Sequence, residues 1–457
     1  GLTPAADEIA LIVVGNRDLS PREWGLMVDV GICTVDLTPD YPVIMDGFGA
    51  RGDRPSEGID NPITGTCVIF DDGDTRLGIM ALDLLAVDDY LLVPVRRAAQ
   101  DAGIPPKNMM LNTSHTHCAP NVTPCRSFMR AYTEKYLVEC RDRLCDLVSG
   151  AVDDLQPATL DYSVGTSTMG MNRRRAGDSG LLPNPDKPID LDVPVLRVLQ
   201  PDGTVRGLLF SYACHPSGIS GFKIGTDFPG FAREYIEQKL ADCKTGFLQG
   251  CGGDVKPRNL DPRTRSFASG PLEVIQELGH ELGRAVMAAL CGTPQPLGDT
   301  VAADSEYVQI PFTDQPTEAD VEEQADRGHR GTVWAHAVRD FWEAGHRLPY
   351  QHPLEVQVFD IGGLTVVGIA AEVCVEVGMH IKERLSDQTV MTLGYTNGGW
   401  DYFAPESAHT EEGYTEGYEV KRSFTDTIWP YPQPLGFSDD SEQIMLDAIE
   451  RIVREIA

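Results

Sequence analysis

Short apolar runs recur along the 457-residue chain, and most of them have the length of a β-strand. A strand that is buried on both faces is apolar at consecutive positions, and a half-buried strand alternates. Runs of both kinds, bounded by glycine, proline or aspartate, predict strands at 28–37, 66–70, 77–85, 109–111, 158–164, 192–198, 205–214, 246–250, 354–361, 364–370 and 390–395.

Between these runs, apolar residues recur every three or four positions, which is the spacing of an amphipathic helix. The clearest stripe covers 127–155, and another near the C-terminus includes Met445, Ile449 and Ile452. Strands that alternate with helices predict an α/β fold with mixed β-sheets flanked by helices, in one domain over 1–457. The other predicted helices lie at 94–102, from the capping residue Asp227 onward, at 271–290 and at 372–385.

Two stretches depart from this alternation. Residues 318–350 are acidic and helical in composition, and residues 396–438 are rich in glycine, proline and aromatic residues. A long irregular segment in a compact protein usually has a binding or covering function. Both stretches are therefore predicted as a possible lid over a functional site.

The formal net charge is −31. Nucleic acids and anionic membrane surfaces attract positively charged proteins, so neither is expected as a partner. No apolar run approaches the roughly 18–20 residues of a membrane span, which argues against stable membrane insertion. The expected partner is a small-molecule substrate, and a homo-oligomer is left open.

The 11 cysteines form no CxxC pair. Free thiols in apolar or helical context are typical of a reducing compartment, which predicts a cytoplasmic protein. The first ten residues lack the basic flank and apolar core of a signal peptide. Gly1 in place of a methionine leaves open that a leader was removed.

Polar residues with metal-binding side chains stand at or soon after the ends of predicted strands. Strand ends are where open α/β sheets place their functional sites, and residues i and i+2 of an extended chain share a face. The residues concerned are His115, His117, His215, Glu372 and Tyr402.

Two imidazoles, a carboxylate and a phenolate suit one Zn²⁺ ion and leave a coordination position for water. His115, His215, Glu372 and Tyr402 are therefore candidate zinc ligands. Each could instead be structural, because a buried histidine can be satisfied by hydrogen bonds, a glutamate can cap a helix, and a tyrosine can pack. Asp83, an acid inside an apolar run, needs a partner and is a candidate to orient a ligand histidine.

Five ordered motifs carry a family resemblance: Ser-His-Thr-His-Cys-Ala-Pro, Ala-Cys-His-Pro, Phe-Leu-Gln-Gly-Cys-Gly-Gly-Asp-Val-Lys-Pro, the Ala-Glu pair that ends at Glu372, and Asn-(x)₄-Tyr from Asn397. Their order and spacing resemble the catalytic, N-terminal domain of the neutral/alkaline non-lysosomal ceramidase family. The resemblance implies a ceramidase-like fold and zinc-dependent amide hydrolysis, with one zinc ion on the four candidate ligands. Ceramidases have an additional C-terminal β domain, which this chain is expected to lack.

The resemblance also implies roles for residues around the metal. It places His117 beside the ion and Arg173 over the substrate. His117 or a neighbouring acid is expected to move the proton to the leaving nitrogen. Tyr418 would donate a hydrogen bond to the substrate carbonyl or oxyanion, with Tyr414 as the rival for that role. Tyr418, His117 and Arg173 are thus the predicted catalytic residues.

Residues 254–258 depart from the family pattern. Where ceramidases have a serine, this chain has Lys256, followed by Arg258. With Arg174, these cations suit an anionic substrate group, and Asp254 is a further candidate for substrate binding. The cations could instead form surface salt bridges with the many acidic residues.

Together these features predict a zinc-dependent hydrolase that cleaves an amide (N-acyl) bond by attack of metal-bound water, on a small polar or anionic substrate. A zinc-dependent esterase or lactonase, or true ceramide hydrolysis, remains an alternative. A binding protein without catalysis is disfavoured because all four candidate ligands are present.

Overall fold

The computed structural model describes residues 26–126, 131–174, 182–326, 329–399, 402–410 and 435–456. The strands in these ranges are β1 (Val28–Asp36), β2 (Gly58–Ile59), β3 (Thr64–Asp71), β4 (Arg76–Leu82), β5 (Met109–Thr113), β6 (Gln156–Thr166), β7 (Gly170–Asn172), β8 (Asp192–Leu199), β9 (Val205–Tyr212), β10 (Lys223–Ile224), β11 (Lys244–Gln249), β12 (Val255–Pro257), β13 (Gln295–Pro296), β14 (Val301–Pro311), β15 (Gln351–Ile361), β16 (Leu364–Ile369), β17 (Glu372–Val373), β18 (Thr389–Leu393) and β19 (Tyr402–Phe403). The helices are α1 (Asp89–Asp101), α2 (Glu134–Asp153), α3 (Phe228–Glu237), α4 (Leu272–Leu290), α5 (Glu318–Ala325), α6 (His329–Glu343), α7 (Val375–Arg384), α8 (Glu406–Thr410) and α9 (Ser441–Ile456).

Most strands belong to two β-sheets. The larger sheet has the order β11-β9-β8-β6-β1-β3-β4-β5, with β13 paired to β6, and the smaller has the order β14-β15-β16-β18. Each sheet combines parallel and antiparallel pairs: β4–β5, β9–β11 and β16–β18 are parallel. Three two-stranded ribbons, β2–β10, β7–β12 and β17–β19, complete the strand pairing. The predicted fold class, mixed sheets flanked by helices, is confirmed.

The two sheets pack face to face between outer helices. Val30 of β1 and Phe359 of β15 belong to the core between the sheets. The opposite face of the larger sheet packs against α1 to α4, and the outer face of the smaller sheet packs against α5, α6, α7 and α9. Because successive side chains of a strand point to opposite faces, each sheet can contribute to two cores. The order of layers is therefore helix, sheet, sheet, helix.

Three predicted helix boundaries differ from the structure. Helix α1 begins at Asp89 rather than at 94, because the Asp88 side chain accepts a hydrogen bond from the backbone N–H of Tyr90 and so caps the helix earlier. Helix α2 begins at Glu134 rather than at 127. Glu372 does not start a helix, because it lies in β17, which pairs with β19.

The two stretches predicted as a lid have described parts. Helices α5 and α6 lie in 318–350, and Trp334 of α6 is fully buried in the core against the smaller sheet. The described part of 396–438 contains β19 and α8, and residues 411–434 lie outside the described ranges. A lid function of either stretch stays a prediction. Among the described residues, no helix combines the length and apolar character needed to cross a membrane.

Candidate metal and active site

Strand ends from both sheets meet at one place. β5 leads into His115 and β9 into His215, both from the larger sheet. From the smaller sheet, β16 leads into Glu372 and β18 into Tyr395. β16 and β18 are a parallel pair, so Glu372 and Tyr395 follow strand ends at the same edge of the smaller sheet.

Two asparagines hold the strand ends in register. The Asn112 side-chain amide donates to the carbonyl oxygen of Gly394 at 2.7 Å, and its oxygen accepts from the backbone N–H of Gln249 at 2.7 Å. Asn397, with a φ of 58°, accepts from the backbone N–H of Leu111 at 2.9 Å. Asparagine tolerates positive φ better than most residues, so this position explains the asparagine of the Asn-(x)₄-Tyr motif.

The His115 ring is held in one orientation. Its Nδ1 lies 2.7 Å from the carbonyl oxygen of Leu85 and must donate to it, which leaves the Nε2 lone pair available. This Nε2 lies 3.5 Å from Oε2 of Glu372. Burial lowers the pKa of His115, although the charge of Glu372 opposes this. A neutral imidazole with a fixed tautomer is suited to metal binding.

His117 and His215 face each other, with their Nε2 atoms 2.8 Å apart. Nδ1 of His215 lies 3.3 Å from Nη2 of Arg173, and because a guanidinium can only donate, this Nδ1 accepts. Burial holds the pKa of both imidazoles well below the usual range, and the positive charge of Arg173 adds to this. Single nitrogen atoms of His115, His117 and His215 all lie within 4.8 Å of one another. The three histidines are therefore a compact cluster of neutral nitrogen ligands.

The spacing of the donors fits a divalent metal ion. Two donors about 2.1 Å from a zinc ion at the tetrahedral angle lie roughly 3.4 Å apart. Oε2 of Glu372 lies 3.5 Å from Nε2 of His115 and 3.9 Å from Nδ1 of His215, whose lone pair an ion would take in place of the hydrogen bond from Arg173. The cluster also contains His117, which the family resemblance places beside the ion rather than on it. Nitrogen and carboxylate donors at these distances can hold an ion such as zinc.

Tyr402, the fourth predicted ligand, lies beside Glu372 because β17 and β19 pair the two residues directly. Its hydroxyl accepts a hydrogen bond from Nη2 of Arg173 at 2.9 Å. The Arg174 guanidinium carbon lies 5.7 Å from the centre of the Tyr402 ring. The structure thus brings Arg173 and Tyr402 to the histidine cluster, and metal binding by Tyr402 stays a prediction.

Tyr395 is a site residue that the sequence analysis did not single out. Its hydroxyl lies 3.1 Å from Nδ1 of His215, and its ring centre lies 4.3 Å from that of His115. Burial raises the pKa of Tyr395, and the negative charge of Glu372 raises it further. The phenol therefore stays protonated and donates to His215. A tyrosine that ends a buried strand resembles a core residue in the sequence, which is why the pattern did not reveal it.

The ribbon β7–β12 carries the predicted cations of the site. Arg173, directly after β7, donates through Nη2 to the carbonyl oxygen of Gly253 at 2.6 Å. Lys256 lies in β12 and is buried. Burial and the charge of Arg173 lower the pKa of Lys256 to about 8, although the charge of Asp227 opposes this.

Asp254 and Arg258, two further predicted substrate-binding residues, lie differently. The Asp254 carboxylate accepts from the Asn172 amide at 2.9 Å and from the backbone N–H of Val375 at 2.7 Å. Both of its oxygens thus connect the ribbon to the start of α7. Arg258 is exposed. Their roles stay predictions, and the geometry favours Arg174 and Lys256 as the residues nearer the site.

The segment from Asp46 to Arg51, which lies between two predicted strands, covers His117. The Phe48 ring centre lies 4.7 Å from that of His117. The buried Arg51 donates to the carbonyl oxygens of Asp46 and His117. Gly47, with a φ of 94°, approaches His117 so closely that a Cβ there would lie 2.7 Å from its Cα. No local pattern indicates a contact between positions so far apart in the chain.

Asp83 has a different partner from the one predicted. Its Oδ2 accepts from the backbone N–H of Thr64 at 2.8 Å and from the Arg233 guanidinium. The Leu85 carbonyl oxygen, rather than Asp83, orients the ring of His115. The acid inside the apolar run is thus explained by a buried ion pair.

Tyr414 and Tyr418, the two predicted donors to the substrate carbonyl, lie outside the described residues. Their roles stay predictions. Within the described ranges, the hydroxyl groups of Tyr395 and Tyr402 lie at the cluster.

Comparison with known proteins identifies the fold. No protein-family model matches the chain, and no curated protein matches it. A ceramidase complexed with C2 superimposes with a TM-score of 0.73 at 16% identity, over 94% of this chain and 76% of that one. A neutral ceramidase from Pseudomonas aeruginosa superimposes with a TM-score of 0.72 at 18% identity, over 95% of this chain and 75% of that one. The chain therefore has the ceramidase-like fold that its motifs predicted.

Proposed function

We propose that this chain is a zinc-dependent hydrolase that cleaves the amide bond of an N-acyl compound. The observation that carries the proposal is the meeting of His115, His117, His215 and Glu372 at the strand ends. The fold is shared with two ceramidase structures, and the family that the motifs resemble hydrolyses an amide. An amide hydrolase on this scaffold accounts for both observations.

A divalent ion held by His115, His215 and Glu372 would supply the Lewis acidity that activates water and polarises a carbonyl group. His117 is placed to move the proton. Burial keeps it neutral, and its Nδ1 has no hydrogen-bond partner among the described residues. It takes a proton from the attacking water and delivers it to the leaving nitrogen, so that one water and one amide give an acid and an amine.

Arg173 is placed to bind the substrate oxygen. Its Nε is buried and has no hydrogen-bond partner in the described part of the chain, while its Nη2 donates to Tyr402 and lies close to His215. A fixed donor aimed at an oxygen that gains negative charge lowers the barrier to acyl transfer. Arg173 therefore acts as the donor that complements the carbonyl oxygen during attack.

The first experiment measures the metal content. We expect about one zinc ion per chain in the wild-type protein by elemental mass spectrometry, and a loss of most of it in His115→Ala and Glu372→Gln, because each variant removes one donor. His346→Ala, at an exposed histidine, is the matched control and should keep the ion. A wild-type protein that binds no divalent ion under any loading condition would contradict the proposal.

The second experiment tests the bond that is cleaved. Matched amides and esters with the same acyl group are given to the zinc-loaded protein, and the release of acid is measured. Amide hydrolysis that falls with the metal content in the His115→Ala variant supports the proposal. Cleavage of esters or lactones with no cleavage of any amide would instead assign an esterase.

A further inference from the structure

Lys256 is a buried cation without a carboxylate partner in the part of the chain that the structure describes. Its exposed fraction is 8%. Its ammonium group faces an aromatic ring, because Nζ lies 5.6 Å from the centre of the Phe267 ring. Removing an ammonium group from water is costly unless an opposite charge compensates it. The residue therefore needs an explanation that the fold alone does not supply.

Three buried arginines pair with carboxylates. Arg197 pairs with Asp161 at 2.5 Å, and Arg206 and Arg233 pair with Asp154 and Asp83. The chain has 69 acidic and 38 basic side chains, so a carboxylate for Lys256 would be easy to provide. Despite this excess of acids, no carboxylate among the described residues pairs with Lys256. An anion from outside the chain would supply the missing negative charge.

The position of Lys256 is next to the histidine cluster. The carbonyl oxygen of Val255, its neighbour in β12, accepts from the backbone N–H of His215 at 2.9 Å. The charge of Lys256 acts on His117, His215 and Arg173. Lys256 and Arg173 thus bring two positive charges to this part of the chain.

Asp227 is the acid whose charge acts most on Lys256, and its carboxylate is engaged elsewhere. Its Oδ1 accepts from the backbone N–H of Phe228 and its Oδ2 from that of Ile219, each at 2.8 Å. The carboxylate thus begins α3 and holds the preceding loop. Within the described residues it forms no ion pair with Lys256, so the ammonium group stays available to an external anion.

We infer that the substrate carries a carboxylate, and that the Lys256 ammonium binds it beside the histidine cluster. This inference rests on the proposed function and names its substrate class as acidic N-acyl compounds. The carboxylate lies on the amine side of the amide, as in an N-acylglycine, or on the acyl side, as in the monoamide of a dicarboxylic acid. In either case the amide carbonyl is placed at the cluster while the charged end rests on Lys256.

The test compares acidic and neutral substrates of similar size. N-hexanoylglycine is paired with N-hexanoylethanolamine, and N-hexylsuccinamic acid with N-hexyl-4-hydroxybutanamide. We expect kcat/KM of the wild-type protein to favour one acid over its neutral counterpart by about 10- to 100-fold, which is the range for a hydrogen bond to a charged group. Equal values for both pairs, or a preference for a long-chain N-acylsphingosine, would overturn the inference.

The variant Lys256→Met removes the charge and keeps most of the side-chain volume. It should lose most of the preference, chiefly through KM for the acid, so that kcat/KM falls much further for the acidic than for the neutral compound. Lys135→Met, at a lysine whose side chain is 67% exposed, is the matched control and should keep the preference. An equal loss on acidic and neutral compounds would assign Lys256 to proton transfer or folding and would overturn the inference.

Direct binding separates this inference from the proposed function. Titration calorimetry measures the affinity of the same four compounds for the wild type and for Lys256→Met. Acid binding that weakens about 10-fold or more in the variant, with no hydrolysis of any compound, would support the inference and refute the proposed function. Hydrolysis of the neutral compounds without binding of the acids would support the proposed function and refute the inference.

Discussion

Gly47→Ala is a sharp test of how the loop at residues 46–51 supports the site. Gly47 has a φ of 94°, and a Cβ at this position would lie 2.7 Å from both Cα and Cβ of His117. Ordinary carbon contacts are about 3.5–4.0 Å, so the added methyl group overlaps His117 by roughly 1 Å. Because the clashing atoms include the His117 backbone, a change of rotamer cannot relieve the overlap.

The expected magnitude has two parts. The left-handed backbone conformation costs a residue other than glycine roughly 1–2 kcal/mol. The overlap must then be relieved by a shift of about 1 Å in His117 or in the loop, and a displacement of that size in a catalytic group costs about 100-fold in rate. Gly47→Ala should therefore lower both the free energy of unfolding and kcat.

Gly52→Ala is the matched control in the same loop. Gly52 also has a positive φ, of 57°, but a Cβ added there would have no atom within 4 Å. Urea unfolding should show a comparable backbone cost in both variants, while kcat for an N-acyl substrate should fall only in Gly47→Ala. If Gly47→Ala retains wild-type kcat, the loop does not position His117 as described.

Three further variants test other contacts of the site. Burial raises the pKa of Asp227 to about 6, so the folded protein holds this proton more tightly than the unfolded chain, and the stabilisation is lost as the pH rises through 6. Between about pH 5 and pH 7, urea unfolding should show the wild type losing about 1 kcal/mol more than Asp227→Asn, and parallel curves would contradict this. Asp83→Asn should lower the free energy of unfolding by about 3–5 kcal/mol, because it leaves Arg233 buried without its partner, and zinc loss without destabilisation would restore Asp83 as an orienting residue. Tyr395→Phe removes the hydroxyl that faces Nδ1 of His215 and competes with an ion for its lone pair, so zinc affinity in a chelator competition should not fall, whereas a loss of about 10-fold would show that the hydroxyl supports the ligand.

Strand ends made the core of the site predictable. His115, His215 and Glu372 each follow an apolar run, and that local pattern marks each of them as a strand-end residue without knowledge of which strands are neighbours. The sheets, the outer helices and the ceramidase-like fold followed from the same pattern together with the ordered motifs. These features depend on periodicity and order, which the sequence contains directly.

Features that depend on contacts between distant residues were not predictable in this way. Asp83 needed a partner, but nothing local indicates Arg233, which lies 150 positions away. The contact of Gly47 with His117 depends on how the loop folds back, and glycine is common in loops whether or not it touches a distant residue. Helix α1 was placed too late because Pro94 resembles a helix start, whereas the cap at Asp88 begins the helix earlier.

The face-to-face packing of the sheets has a consequence for how the protein holds together. His115 and His215 belong to the larger sheet, whereas Glu372 follows a strand of the smaller one. An ion bound by these three side chains would join segments separated by up to 257 positions, as a cross-link closes a long loop. Removal of the ion by a chelator should therefore make the two sheets separate more easily. Protease cleavage of the segments between the sheets should then increase before the helices unfold.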